Sequence, residues 1–135
     1  MRRGSRIGVA IGIALLLGIA GGYGLNDWQN REMVARKAAV LTHGDPEAGR
    51  AAIGRFGCGG CHAIPGVGGA RGLVGPPLGG IARRAYIGGV AANTPDHMVG
   101  WIRNPKAFDD RTAMPALGIG EDDARDIAAF LYTLD

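Results

Sequence analysis

Cysteine is scarce in this chain, because Cys58 and Cys61 are the only two among its 135 residues. No third cysteine competes for either of them, which excludes a framework of several disulfide bonds. The sequence has no alternation of apolar and polar residues typical of strands, and it contains no internal repeat. These absences argue against a disulfide scaffold, a sheet-based fold and a repeat protein.

A basic surface suited to nucleic acid is also lacking. The formal net charge is +3, but residues 1–43 hold six Lys/Arg against two Asp/Glu, whereas residues 44–135 hold nine against ten. The positive charge therefore belongs to the N-terminal third, and the remaining residues carry a net charge of −1. Nucleic acid requires a basic stripe, so no nucleic-acid partner is expected.

The motif Cys58-Gly59-Gly60-Cys61-His62 is the most informative feature that is present. Two cysteines three apart, followed at once by histidine, are typical of c-type haem attachment, in which each thiol bonds one vinyl group and the imidazole binds iron. A redox-active dithiol is one alternative, but it would be expected beside a βαβ pattern, which is missing. A zinc site would need two further ligands, and His43 and His97 have no paired spacing. The motif therefore predicts one covalent haem c with its iron.

Residues 1–25 are predicted to form an N-terminal membrane anchor. Ile7 to Leu25 carry no charge, and as a helix they would span about 28 Å, close to the hydrocarbon thickness of a bilayer. Arginines at positions 2, 3 and 6 precede the run, so the positive-inside rule keeps the N-terminus in the cytoplasm. A cleaved signal peptide is the alternative. Either interpretation exports the rest of the chain, which we expect on the outer, periplasmic face of the cell membrane.

Two glycine pairs lie in the apolar run, Gly8 with Gly12 and Gly18 with Gly22. Their spacing would let a second transmembrane helix approach closely. Glycine is also simply common in membrane helices. These glycines are therefore compatible both with docking into a larger membrane complex and with ordinary composition.

Residues 26–43 are predicted to be a polar spacer before a domain at 44–135. The spacer contains no Pro or Gly, so it either continues the anchor as a helix or forms a flexible tether. Three domain helices are predicted, two of them starting at Asp45-Pro46 and Thr94-Pro95, with a cap followed by proline, and one starting near Gly120. Residues 64–80 are rich in Gly and Pro and predict a loop.

Several segments of the domain resemble class I c-type cytochromes. Gly44 to Gly49 is similar to the family's first helix, in which Gly49 would let the last helix cross closely. Gly75-Pro76-Pro77-Leu78 resembles the loop whose proline carbonyl accepts a hydrogen bond from the iron-bound imidazole. Trp101 to Lys106, followed by Thr112-Ala113-Met114-Pro115, resembles the segment that ends in a methionine ligand.

The resemblance implies an all-α fold of the class I cytochrome c type around one covalent haem, preceded by a single transmembrane helix. Near position 53 the family usually has an aromatic residue that locks the crossing of the first and last helices. In this chain Ile53 would take that role by packing against Phe130. The metal ligands implied are His62 and Met114. The cofactor-binding residues implied are Cys58, Cys61, His62, Met114, Pro76, Leu78 and Trp101.

Other residues compete with Met114 for the second axial position, namely Met98, Met33, His43 and His97. Met98 has apolar helix neighbours and is expected in the core, His97 is expected to face solvent, and His43 lies in the spacer. A methionine in a loop beside the crevice can turn its sulfur inward, which together with the resemblance favours Met114.

Polar residues near the predicted crevice have two possible roles. Tyr86, Asn93, Arg103 and Thr112 are candidates to contact the haem propionates. Arg71, Arg83, Arg84 and Lys106 are candidates for a positive rim that steers an acidic partner. Ordinary solvated surface is the alternative for each of them.

The set Asn93-Thr94-Pro95, Trp101, Asn104-Pro105 and Met114-Pro115 is especially similar to cytochrome domains attached to haem–copper oxidases, including those fused to oxidase subunit II. This resemblance implies a membrane-anchored monohaem carrier of single electrons in a respiratory chain, to or within a terminal oxidase, and not an enzyme in itself. Its partners would be a terminal oxidase, a quinol–cytochrome c reductase, or both. The alternative is a haem sensor or peroxidase-like enzyme with an open iron site.

Overall fold

The computed structural model describes residues 3–134, with side chains from residue 11 onward. The chain divides into two compact units, residues 1–33 and residues 34–135. The described helices are α1 (Arg3–Thr42), α2 (Pro46–Arg55), α3 (Pro95–Arg103) and α4 (Glu121–Leu131), and the strands β1 (Tyr86–Ile87) and β2 (Ala91–Ala92) pair antiparallel. Single 3-10 turns occur at Cys58–Gly60, Ile81–Arg83 and Pro105–Ala107.

The predicted spacer is helical, because α1 covers residues 3–42. Within the part of the chain that the structure describes, no helix combines the length and the apolar character needed to cross a membrane. The prediction of an anchor also rests on residues outside this part, since the side chains of residues 3–10 are not described and residues 1 and 2 are not described at all.

The last turns of α1 belong to the C-terminal unit and are buried in it. Ala38 and Thr42 are 2% and 0% exposed. The Thr42 hydroxyl donates a hydrogen bond to the Ala38 carbonyl at 2.8 Å, and the Thr42 carbonyl accepts one from Arg125 of α4 at 3.2 Å. His43 then ends the helix with a left-handed φ of 56°. This end of α1 is therefore part of the core of the C-terminal unit rather than a tether.

Helices α2 and α4 cross closely, and local sequence explains why each begins where it does. Asp45 caps α2 by accepting hydrogen bonds from two amides of the first turn, at 2.8 and 3.4 Å, and Pro46 occupies the first helical position. A side chain at Gly49 would collide with the Asp126 carbonyl of α4. Gly49 therefore permits the crossing, as the sequence predicts.

Helix α3 starts at the predicted cap, since the Thr94 hydroxyl accepts a hydrogen bond from the His97 amide at 3.3 Å. The helix ends at Arg103, before Pro105, which cannot continue it. Met98 is 2% exposed and lies in the core, as expected from its apolar neighbours. Ile53 and Phe130 are buried in the same core cluster.

The hairpin β1–β2 was not expected from the sequence. Each strand has only two residues, which is too short to produce an alternating pattern. Gly88 in the connecting turn has a φ of 57°, and a side chain there would collide with the indole ring of Trp101. A close approach between the hairpin and α3 therefore explains this glycine.

Candidate haem site

The Cys-Gly-Gly-Cys-His motif leaves α2 as one tight turn. Gly57 takes a left-handed φ of 71° after the helix, and the amides of Cys61 and His62 both donate to the Cys58 carbonyl, at 3.2 and 3.0 Å. Cys58 is half-buried, Cys61 is exposed, and neither thiol is in a disulfide. Burial raises the pKa of the Cys58 thiol, a backbone hydrogen bond lowers it, and the neighbouring Cys61 raises it further.

The imidazole of His62 is held in one orientation. Its Nδ1 lies 2.7 Å from the Pro76 carbonyl oxygen, and because a carbonyl can only accept, Nδ1 is the protonated nitrogen. The lone pair of Nε2 is then free to bind a metal, with a carbonyl partner orienting the ring from behind. This is the contact that the sequence predicts for Pro76.

Gly72 and Gly75 bring their loop against the motif. The Gly72 amide donates to the Gly59 carbonyl at 3.0 Å, and the Gly75 amide donates to the Cys61 carbonyl at 2.8 Å. A side chain at Gly75 would collide with the His62 ring. Only glycine therefore lets the backbone support the imidazole at this distance.

The motif opens onto an apolar crevice of about 370 Å³. This volume is in the usual range for cofactor pockets, which are mostly apolar with a few polar groups. The lining residues are Cys61, His62, Val74, Gly75, Pro76, Ile81, Arg84, Tyr86, Gly88, Trp101, Thr112, Ala113, Met114 and Pro115. Cys58 and Leu78 are outside this lining and pack half-buried against the core.

Met114 lines the same crevice as His62, and its sulfur is hydrogen-bonded. The Trp101 indole Nε1–H donates to Met114 Sδ at 3.1 Å. The Met114 amide donates to the Thr112 hydroxyl at 3.3 Å, which fixes the loop at this point. A thioether has a second lone pair, so a metal can bind the sulfur while this hydrogen bond persists.

The other candidate ligands lie elsewhere. Met98 is in the core, Met33 is 62% exposed on α1, and His43 is exposed at the end of that helix. His97 is exposed as predicted, and its Nδ1 lies 2.9 Å from the Ala92 carbonyl oxygen. Among the residues described, His62 and Met114 are therefore the two predicted ligands that share the crevice.

The propionate candidates divide into two groups. Tyr86 and Thr112 line the crevice. Asn93 does not, because its amide group donates to the carbonyls of Ile81 and Arg84, both at 2.8 Å, and accepts from the Tyr132 hydroxyl at 2.8 Å. Arg103 pairs with Glu121 at 3.4 Å. Asn93 and Arg103 thus have structural partners within the protein.

Arg84 contributes to the site in a way that the sequence does not indicate. It lines the crevice, and its Nη2 donates to the carbonyls of Pro77 and Gly79, at 2.5 and 3.1 Å. The guanidinium therefore braces the loop that carries the Pro76 carbonyl. In the sequence, Arg84 is only one of several cations near the predicted crevice, because its carbonyl partners come together only in the folded loop.

The donor set fits a haem better than a bare metal ion. No group of three or more His, Cys, Asp or Glu side chains able to hold a metal occurs in the described part of the chain. The crevice instead offers the Cys61 thiol, one oriented imidazole and one thioether beside an apolar volume, and the free Cys58 thiol lies three residues before Cys61 in the same turn. Nitrogen and sulfur ligands of this kind suit haem iron.

Residues 46–135 match the family model for cytochrome c. A similar segment occurs in cytochrome c oxidase subunit 2 of Alkalihalophilus pseudofirmus, which is 32% identical over 87 residues. That match covers 64% of this chain and 25% of the relative, so the chain corresponds to about a quarter of the relative's length. No solved structure matches. Because the family match covers two thirds of the chain and includes the whole site, this protein belongs to the cytochrome c family and carries a covalently attached haem c.

Proposed function

We propose that this cytochrome is a membrane-anchored monohaem carrier that delivers single electrons to, or within, a terminal oxidase of a respiratory chain. Membership of the cytochrome c family supports electron transfer rather than catalysis of its own. The observation that carries the proposal is that His62 and Met114 line one apolar crevice. When bound, the haem supplies the one-electron ferric/ferrous couple.

In this proposal each residue of the site would have one task. Cys58 and Cys61 hold the cofactor through thioether bonds. His62 would bind iron through Nε2, while the Pro76 carbonyl keeps the proton on Nδ1. Met114 would bind iron through its sulfur, and a thioether ligand would favour the ferrous state and raise the reduction potential relative to a second histidine. Trp101 would line the haem pocket, and Leu78 packs half-buried against the adjoining core.

The ligand assignment is tested by CO binding to the reduced protein. With both axial positions filled, the wild type should bind almost no CO at neutral pH. Met114→Ala should bind it readily, and Met98→Leu, a volume-conserving core change, should behave as the wild type. Ready CO binding by the wild type would contradict the carrier function and favour a sensor or peroxidase-like enzyme with an open iron site.

The proposed anchor comprises residues 1–25, with the cytochrome domain on the periplasmic face. Large apolar side chains from Ile11 to Ile19 are 53–68% exposed on α1. Leu15, Leu16 and Leu17 are consecutive and so point to different sides of the helix. A helix that is apolar all round requires apolar surroundings, which a bilayer would provide.

Localisation is tested by fractionating cells and by determining the N-terminus of the mature protein. An anchored protein stays in carbonate-washed membranes with residues 1–25 intact, and added protease degrades its haem domain in spheroplasts. Recovery in the soluble periplasm with a new N-terminus would indicate a cleaved signal peptide instead.

The proposed oxidase partner is supported by similarity to an oxidase subunit 2. The test is purification of the tagged full chain in mild detergent, followed by a reduced-minus-oxidised spectrum. Stoichiometric a-type or b-type haem would indicate a stable subunit of an oxidase or of a quinol–cytochrome c reductase. A c-type band alone would favour a tethered shuttle, and failure of oxidase-containing membranes to oxidise the reduced protein would contradict the proposed partner.

A further inference from the structure

The loop that presents a carbonyl to the proposed axial histidine cannot be held in place by its own amides. The amides of Gly75 and Leu78, on either side of this carbonyl, each donate to a carbonyl in the segment 61–63, at 2.8 Å. Between them stand Pro76 and Pro77, which have no N–H group. Holding this stretch of the loop therefore requires a donor from elsewhere in the chain.

Arg84 supplies this donor from outside the loop. Its half-buried side chain donates through Nη2 to the carbonyls of Pro77 and Gly79, at 2.5 and 3.1 Å. The guanidinium has no carboxylate partner within 4.0 Å among the described residues. Hydrogen bonds from a charged donor are stronger than those between neutral groups. The place of the guanidinium therefore determines where this stretch of the loop lies.

The turn that carries Arg84 is too short to fix its own orientation. It consists of the single 3-10 turn Ile81–Arg83, which the chain enters through Gly80 with a left-handed φ of 68°. Arg84 follows it with extended backbone. Carbonyls at the end of a helix lack partners within that helix and must find them elsewhere. The middle of the turn is held by the Ala82 amide, which donates to the Leu134 carbonyl at 3.3 Å.

Asn93 holds the C-terminal end of this turn. Its side-chain amide donates to the carbonyls of Ile81 and Arg84, both at 2.8 Å, and its backbone amide donates to the Ala85 carbonyl at 2.9 Å. The Tyr132 hydroxyl donates to the Asn93 Oδ1 at 2.8 Å, which directs the NH₂ group towards the turn. Both polar atoms of the Asn93 side chain are thus engaged, and the residue clamps the backbone that carries Arg84.

We propose that Asn93 is a positioning residue for the His62 side of the haem site and that it acts through Arg84. By clamping the turn, Asn93 holds the guanidinium on the loop carbonyls and so keeps the Pro76 carbonyl aligned with the Nδ1–H of His62. Asn93 does not line the crevice, so its effect is indirect. The hydrogen bond to a ligating histidine sets the orientation and the basicity of its ring. The inference rests on the proposed function, in which His62 is an axial ligand of the iron.

The Nδ1–H of His62 can be observed directly, because the chain contains only three histidines. Reduced full-length holoprotein in detergent, made with isotope-labelled histidine, gives their ring signals by NMR, and the variants His43→Gln and His97→Gln identify those of His62. A ring bound to iron lies above the haem plane, so its carbon-bound protons show large upfield ring-current shifts. The exchange rate of the Nδ1–H with solvent and the chemical shift of Nδ1 then report the hydrogen bond to Pro76.

Asn93→Leu, a change of similar size, removes both donors of the side chain. The Nδ1–H of His62 should then exchange about fivefold faster at fixed pH and temperature, the factor that corresponds to about one ordinary hydrogen bond. Arg84→Gln should have the same effect, because it removes the charged fork that reaches both carbonyls. If Asn93 acts through Arg84, the double variant N93L/R84Q should exchange no faster than R84Q alone.

Two further variants separate positioning from a general loss of stability. Thr94→Ala removes the hydroxyl that caps α3, so it also destabilises the protein, but Thr94 has no hydrogen bond to the turn. In this control the exchange of the His62 Nδ1–H should stay within about twofold of the wild type. Tyr132→Phe removes only the hydroxyl that orients the Asn93 amide, and it should accelerate the exchange less than N93L does.

Equal exchange rates in N93L and Thr94→Ala would overturn the inference and leave Asn93 with a role in stability alone. A full effect of N93L in the R84Q background would overturn it as well. If N93L retains no haem, Tyr132→Phe provides the test, and an exchange rate equal to that of the wild type would then contradict the positioning role.

The proposed function and this inference fail in different ways. If the ring protons of His62 show no upfield shift in the wild type, His62 is not an axial ligand and the proposed function is wrong. If these protons are shifted in the wild type and the exchange rates of all variants are the same, the ligation stands and the positioning role of Asn93 is wrong.

Discussion

Single residues around the crevice orient one another through hydrogen bonds. The Pro76 carbonyl holds the His62 ring at 2.7 Å, and the Trp101 indole holds the Met114 sulfur at 3.1 Å. Both partners act on atoms that the proposed ligation needs. Their effects should therefore appear in the properties of the iron more than in overall stability.

Trp101→Phe removes the hydrogen bond to the Met114 sulfur and should lower the reduction potential. A donor to the sulfur withdraws electron density from it and so favours ferrous iron. A hydrogen bond of about 1 kcal/mol corresponds to about 40 mV for a one-electron couple. Redox titration measures the shift, with Phe108→Leu as the control because Phe108 packs beside Trp101, with ring centroids 6.0 Å apart, and donates nothing to sulfur. An equal shift in both variants would assign the effect to packing.

Gly75→Ala should impair haem attachment, because the new methyl group would collide with the His62 imidazole. Either the ring or the loop must move, and overpacking of this kind costs about 1–3 kcal/mol. The yield of covalent haem and the denaturation midpoint measure the effect. Gly68→Ala is the control, because a side chain there meets nothing within 4 Å. Normal haem content in the Gly75 variant would show that the contact is unimportant.

At the scale of elements, local sequence at the helix ends determines where several of the helices begin and end. Helices α2 and α3 begin with a capping side chain followed by proline, and α1 ends at His43 in the left-handed region. The caps of α2 and α3 agree with local preference, whereas the end of α1 does not. A substitution that relieves the left-handed backbone at the end of α1 should therefore stabilise the domain.

His43→Gly should stabilise the domain by about 1 kcal/mol. A left-handed backbone costs an ordinary L-residue about 1–2 kcal/mol, and glycine avoids most of this cost. His43 is exposed, so little packing is lost. Chemical denaturation gives the free energy of unfolding, and His43→Ala, which keeps the left-handed strain, should gain nothing. Equal stability of the two variants would mean that the strain is relieved elsewhere.

At the end of α4, the Tyr132 hydroxyl donates a 2.8 Å hydrogen bond to the Asn93 side chain. The Asn93 amide group in turn donates to the carbonyls of Ile81 and Arg84, so Tyr132 is linked to the segment before β1. Burial raises the pKa of its hydroxyl from 10.0 to about 12. The folded protein therefore retains this proton in a pH range where the unfolded chain loses it. The corresponding stability is fully present below pH 10.0 and decreases as the pH rises towards about 12.

Tyr132→Phe should remove that pH dependence and cost about 1 kcal/mol at neutral pH, because Asn93 loses its donor. Unfolding free energies measured across the alkaline range test this, with Tyr23→Phe as the control, since Tyr23 is 75% exposed on α1. If the alkaline loss of stability is as steep in Tyr132→Phe as in the control, another group is responsible.

At the scale of the whole molecule, the haem domain includes more of α1 than the sequence indicates. The predicted domain starts at Gly44, whereas the compact unit starts at residue 34 and buries Ala38 and Thr42. The spacer sequence is polar and contains no glycine or proline, so it does not mark which of its residues are buried. Which spacer residues are buried depends on contacts with distant parts of the chain, such as the hydrogen bond between Thr42 and Arg125, 83 residues further along.

Two shortened variants test this contribution. Residues 34–135 should fold with the spectrum of the full chain, and residues 44–135 should be less stable by about 1–2 kcal/mol, having lost buried apolar area and the hydrogen bond to Arg125. Thermal unfolding of both proteins provides the measurement. Identical stability would mean that the end of α1 contributes nothing to the domain.

Much of the fold could be predicted because its determinants are local. Caps and prolines place α2 and α3, and the acidic first turn places α4. The haem motif is also local. The contacts of Arg84 with two carbonyls, the hydrogen bond from Trp101 to sulfur and the hairpin β1–β2 depend on loops that meet only after folding. No local sequence pattern indicates such contacts between distant loops.

The hydrogen-bonded supports of His62 and Met114 would also affect how fast the proposed carrier exchanges electrons. Each proposed ligand is held from behind, by the Pro76 carbonyl and by the Trp101 indole. A ligand with little freedom to shift keeps nearly the same position before and after the iron changes its charge. The inner-sphere reorganisation energy would then be small, since the surroundings are already arranged for both states. For the proposed carrier, we therefore expect electron exchange to be limited by the encounter with a partner rather than by rearrangement around the metal.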